Sequence, residues 1–108
     1  MTQAASEGPL ISQYADDPDM LELIEMFVSD LPERVLALKD AIAAEDIERV
    51  GGLAHQLKGA GGGYGYPAIT ESALKLETMA KGGTDDLDAV RNNIEELVNL
   101  CNRASAGI

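Results

Sequence analysis

The only histidine among 108 residues, His55, stands in the run Ala54-His55-Gln56-Leu57-Lys58-Gly59, and five glycines fall between positions 59 and 65. A neutral imidazole is a nucleophile, and an unperturbed one titrates near pH ~6.5. In a helix, a lysine three residues further on is a surface neighbour, so its ammonium can face an anion that reaches or forms on the ring. A histidine picked at random from a surface has no such task. Here the lysine and the glycines in the same stretch argue for one.

These residues need a helix to position them. Ile47, Val50, Ala54, Leu57, Gly61 and Tyr64 recur at spacings of three and four and so share one face. Gly51, Gly52, His55, Lys58, Gly59 and Gly62 take the other, which places His55 on the solvent side of a packed helix. Six glycines inside a helix cost roughly 5–6 kcal/mol if propensities add. The helix is still the better reading, because the apolar period persists to Tyr64 and Gly65-Tyr66-Pro67 is a stop signal. Bare glycine positions on the His55 face leave room for a broad partner, and Gly61 on the inner face admits a close helix. Tyr64 is expected in the core, with Tyr66 shielding the helix end.

Other helices must flank this one. Asp17 is a cap for a helix with Pro18 at its first position and Asp19 in its first turn, burying Leu21, Leu23, Ile24, Phe27, Val28 and Leu31. Pro32 interrupts that pattern, with Asp30 available as a second cap, so residues 18–44 read either as two helices or as one kinked helix. The continuation buries Val35, Leu36, Leu38, Ala41 and Ile42, and Asp46 caps the His55 helix. A further segment starts at Pro67, buries Ile69, Ala73, Leu74, Leu76 and Met79, and ends at Gly82-Gly83. The last follows Thr84 and buries Leu87, Val90, Ile94, Leu97, Val98 and Cys101. Connections this short force antiparallel neighbours. The sequence therefore predicts an all-α fold, an antiparallel four-helix bundle with an N-terminal helical extension. Residues 1–8 read as a flexible arm, 9–103 as the bundle with 9–15 packed over it, and 104–108 as a flexible C-terminal tail.

With those residues in place, His55-x-x-Lys58-Gly59-x-x-Gly62-x-x-Gly65 resembles the signature of histidine-containing phosphotransfer (HPt) domains of two-component phosphorelays. The likeness continues through Ala73, Leu74, Leu76 and Glu77. The resemblance implies a four-helix fold in which His55 is the phosphoacceptor, relaying a phosphoryl group between aspartates of receiver domains, and Lys58 stabilises the phosphoryl oxygens. By likeness to chemotaxis kinases, Glu77 is a possible acceptor for the His55 Nδ1–H; read without the resemblance it is an exposed glutamate. Gly59 and Gly62, with Gln56 and Lys81 at the border, would form the partner surface, though the last two read more readily as solvated side chains. The implied partners are response-regulator receiver domains and a hybrid histidine kinase, met through an apolar patch with Met20, Leu21 or Leu10-Ile11 as candidates. No cofactor is expected on this chain, since the Mg²⁺ of the transfer would sit on the receiver. Such a carrier neither hydrolyses nor synthesises anything by itself. Two alternatives stay open: a phosphoacceptor module of a histidine kinase, or a non-catalytic acidic adaptor that binds receivers.

Composition narrows the remaining classes. A net charge of −11 argues against nucleic acid or an anionic membrane as partner. The lone Cys101 forms no internal disulfide and fits a reducing cytoplasm. No signal peptide opens the chain and no apolar run reaches ~18 residues. One histidine and one cysteine make no zinc set, and there is no Gly-Lys-Ser/Thr phosphate loop. Met1 and the small-residue end suggest a complete short protein, expected as a monomer.

Overall fold

Asp17 accepts a hydrogen bond from Asp19 N at 3.0 Å and, with Pro18 at the first helical position, starts the longest helix of the molecule. In the computed structural model, which describes residues 8–106, this helix is α1, Pro18–Ala43. It is followed by α2, Ile47–Gly63, α3, Pro67–Lys81, and α4, Leu87–Arg103. Two short strands, β1 (Leu10–Ile11) and β2 (Ala104–Ser105), complete the elements. Each helix packs on the next and α4 closes on α1, so α4 lies diagonally across the bundle from α2. The all-α four-helix reading holds.

Pro32 lies inside α1, and the helix continues through it. Of the two readings open for 18–44, one continuous helix is found, and Asp30 caps nothing. A helix-interior proline costs about 3 kcal/mol, but Ile24, Phe27, Leu31, Val35, Leu38 and Ala41 keep one buried stripe across it while Pro32 itself faces solvent. Packing decides. Three of the four helices end in a left-handed residue: Glu45 at φ 55° after α1, Gly65 at φ 86° after α2 and Gly83 at φ 76° after α3. Asp46 N donates to Ala41 O and Tyr66 N to Gly61 O, which closes the first two ends over their last carbonyls.

Several expectations for individual residues need correction. Leu23, Leu36 and Leu74 are exposed, not core, because spacings of three and four also admit the neighbouring face of a helix. Gly51, placed with the outward residues, is buried against Ala80 of α3. Tyr66 is fully buried, with its ring 5.6 Å from Phe27, and Phe27 stacks on the half-buried Tyr64 at 5.0 Å.

The N-terminal extension is not helical over its described residues. β1 pairs in parallel with β2, Leu10 opposite Ala104 and Ile11 opposite Ser105. Ser12 Oγ donates to Tyr64 O at 2.5 Å, Gln13 N donates to Gly65 O at 2.8 Å, and Tyr66 Oη donates to Ser105 O at 2.6 Å. The segment 8–14 is thus a strap over the α2–α3 turn, and regular pairing runs past residue 103 into the stretch read as a tail. Of the arm proposed for 1–8, only Gly8 lies within the described residues, and its carbonyl accepts from Arg103 Nε at 2.9 Å.

Candidate functional site

Two glycines let α2 and α3 come together. A Cβ on Gly61 would lie 2.9 Å from Thr70 Oγ1 and 3.1 Å from Ile69 Cγ2; one on Gly51 would lie 3.3 Å from the Ala80 methyl. Gly51, Ala54, Lys58 and Gly61 fall at spacings of three, four and three, so small residues line most of the stripe that meets α3. Thr70 Oγ1 also donates to Lys58 O at 2.9 Å, fastening the middle of α2 to the start of α3. His55 lies between the two close approaches.

This closeness places Glu77 of α3 beside the imidazole. Glu77 is only 6% exposed. Its Oε2 lies 2.8 Å from His55 Nδ1 and 2.8 Å from Lys81 Nζ, and its Oε1 lies 2.7 Å from Lys58 Nζ. Lys58 first and Lys81 next, with a smaller contribution from His55, outweigh the desolvation of burial and bring the carboxyl down to about 2. An ionised carboxylate only accepts hydrogen bonds. The proton shared with His55 therefore belongs to Nδ1, and in the neutral ring Nε2 carries the lone pair. The His55 side chain is 60% exposed. The arrangement is an accessible nitrogen nucleophile whose tautomer is set from behind. Two ammonium groups against one carboxylate also leave a local positive balance in a chain of net charge −11.

The structure brings together four of the residues named from sequence: His55, Lys58, Glu77 and Lys81. Lys58 is engaged with Glu77 in this state, and Lys81 joins it. Beyond Gly59 there is open space for a Cβ, as there is beyond Gly52 and Gly63, while Gly62 borders Thr70. Gln56 is exposed on the opposite flank of α2, where it lines a groove with Asp30 and Glu33 of α1. Met20, Leu21 and Leu10 are half-buried, and Ile11 belongs to the strap at the far end of α2. The positioning roles of Thr70 and Gly51 were missed. The stripe of small residues from 51 to 61 is the signal that could have found the second.

Among the described residues, no group of three or more His, Cys, Asp or Glu is placed to hold a metal ion, and no helix is long and apolar enough to cross a membrane. The Cys101 thiol is pushed up to about 12 by burial, partly offset by the charge of Arg34, which leaves it a neutral packing group. Among protein families, the model described as the Hpt domain matches residues 22–107. No curated protein and no solved structure was found to match the chain.

Proposed function

The chain belongs to the Hpt domain family, whose members act in phosphotransfer in two-component signalling, and from that premise we propose that it relays phosphoryl groups between receiver domains through His55. In this reading Nε2 attacks the phosphorus of an aspartyl phosphate, the P–O bond to the aspartate breaks, and a P–N bond forms. The carboxylate leaves on the receiver. The ring keeps its Nδ1 proton and becomes cationic, and the Glu77 carboxylate faces that N–H. The same steps in reverse deliver the group to a second aspartate. Lys58 would turn from Glu77 to the phosphoryl oxygens, where charge is spread in a loose, in-line transfer. Lys81 would keep Glu77 ionised while Lys58 is away.

The single observation that carries this reading is the 2.8 Å contact between His55 Nδ1 and a buried, ionised Glu77 on the next helix. It accounts for a lone pair on the exposed Nε2 whenever the ring is neutral. The open positions at Gly59 and Gly63 give a receiver room to approach. Mg²⁺ belongs to the receiver's acidic pocket, and the chain acts as a cytoplasmic monomer. A hybrid histidine kinase is the upstream source.

The test is transfer from a panel of phosphorylated, labelled receivers to the wild type beside His55→Gln. Acid-labile, base-stable label on the wild type alone supports the relay. The His55–Glu77 contact also suits an acceptor module labelled from ATP by a kinase catalytic domain, and label from that source with none from any receiver would favour that second reading. No label from either, with the helical circular dichroism intact, would sink both.

A further inference from the structure

α1 presents a flank to α2 that the core does not use. Asp30, Glu33 and Ala37 share a groove of ~330 Å³ with Leu53, Gln56 and Leu57 of α2. Leu23 and Met26 precede Asp30 by seven and four residues, so they continue this flank along the helix. A second, shallow groove of ~350 Å³ lined by Glu22, Glu25, Met26, Ser29 and Asp30 joins the first through Asp30. Leu23 is exposed and Met26 is 60% exposed, which leaves an apolar centre with no partner in the fold. Around it acidic groups dominate: residues 16–34 hold seven acidic side chains and one basic one, Arg34, which also lines the first groove. Among the described residues none of the seven makes an ion pair; the ion pairs of the bundle involve Glu45, Glu77, Asp88 and Glu96.

Across the glycine-bare face of α2 lies the opposite edge, where Lys58 and Lys81 converge beside His55. The face is therefore polarised. It runs from an acid-ringed apolar patch on α1, past Gln56 and Gly59, to a cationic edge on the α3 side. Building on the relay reading, we propose that this polarity fixes the orientation of the receiver: a basic surface of the receiver with an apolar centre seats on Leu23, Met26, Asp30 and Glu33, while its anionic phosphoaspartate pocket meets His55 at the Lys58–Lys81 edge. The reversed orientation would set the phosphoaspartate against unpaired carboxylates, and like charges juxtaposed across an interface are strongly disfavoured. A second copy of this chain fails as occupant for the same reason, since its own α1 would bring the same sign of charge.

The experiment measures the second-order rate constant for transfer from a phosphorylated receiver that labels the wild type. Asp30→Lys/Glu33→Lys is compared with Asp88→Lys/Glu95→Lys on α4, which makes the same change in net charge across the bundle. Phosphoramidate, a small phosphodonor with no docking surface, labels each protein in parallel. The α1 variant should lose at least about tenfold in rate and most of the salt dependence of the wild type. Its phosphoramidate labelling should stay unchanged, and the α4 variant should remain near wild type. Met26→Gln, which leaves charge alone, should also slow transfer from the receiver only. Wild-type transfer rates in Asp30→Lys/Glu33→Lys, or an equal loss in the α4 variant, would overturn the proposal. Failure of every phosphorylated receiver to label the wild type would remove the relay reading itself, and this orientation with it.

Discussion

Glu77 Oε2 is 2.8 Å from His55 Nδ1 although the two residues lie 22 positions apart on different helices. The contact depends on α2 and α3 being closer than ordinary side chains would allow. In the relay reading it selects the tautomer that leaves Nε2 free, and afterwards it opposes the charge on the phosphorylated ring. Removing a carboxylate that orients a functional imidazole typically costs 10–100-fold. Glu77→Ala should slow phosphoryl transfer by roughly that factor, with Glu77→Gln milder because its amide oxygen still accepts from Nδ1–H. Nitrogen NMR of His55 should show the Nδ1–H form dominant in the wild type and a mixed population in Glu77→Ala. An unchanged tautomer ratio together with an unchanged rate would count against the assignment.

The same carboxylate makes stability depend on pH in a stated direction. Glu77 is lowered from 4.5 to about 2 in the fold, chiefly by Lys58 and then Lys81. A depressed carboxyl contributes stability above its unfolded value and loses it as pH falls through its folded value. The stability gap between wild type and Glu77→Gln should hold from pH 7 down to about 4.5 and close progressively toward about 2. Urea denaturation of both proteins across that range measures the gap. A gap that stays constant to pH 2.5 would mean that the carboxyl is not held by its two lysines in solution.

Two glycines of one helix should respond oppositely to the same substitution. Gly59 has open space where a Cβ would go, so Gly59→Ala should stabilise the fold by about 0.8–1 kcal/mol, the ordinary difference in helix propensity. At Gly61 the added carbon would lie 2.9 Å from Thr70 Oγ1, which is pinned by its hydrogen bond to Lys58 O, and 3.2 Å from Thr70 N. Gly61→Ala should therefore be destabilising, by about 1–3 kcal/mol of overpacking that exceeds the propensity gain. It should also part α2 from α3 and weaken the His55–Glu77 contact. Thermal unfolding checks the first effect, and the His55 tautomer the second. If both variants raise the melting temperature, α2 and α3 do not depend on Gly61 for their approach.

The sequence reading was surest where local chemistry decides. Asp46 before an apolar period and Gly65 before Tyr66-Pro67 marked both ends of α2 within a residue or two. The aggregate cost of its glycines misleads only if propensity is read without packing, since Gly51 and Gly61 are required by a neighbouring helix. The reading failed where the third dimension decides. Leu74 fits the apolar spacing of α3, yet it falls on the edge between Thr70 and Glu77 and remains exposed. The strap was illegible because a two-residue pairing between residues 94 positions apart carries no periodicity. The burial of Glu77 was equally hidden: it follows from the closeness of two helices, which no single-helix pattern encodes.

Tyr66 links the strap to the core, and its loss should be local. The ring is fully buried beside Phe27, and the hydroxyl donates to Ser105 O at 2.6 Å where β2 pairs with β1. Tyr66→Phe keeps the ring packing and removes one part-buried hydrogen bond, the one to Ser105 O. The expected cost is about 0.5–1.5 kcal/mol. Because the lost bond holds the chain ends and not α2, amide exchange should accelerate at Leu10–Ile11 and Ala104–Ser105 while His55 keeps its contact with Glu77. Transfer rates should remain at wild-type level. A variant that exchanges faster throughout α2 and α3 would instead make the strap part of what holds the phosphoacceptor helix in place, and the site would then extend to the chain termini.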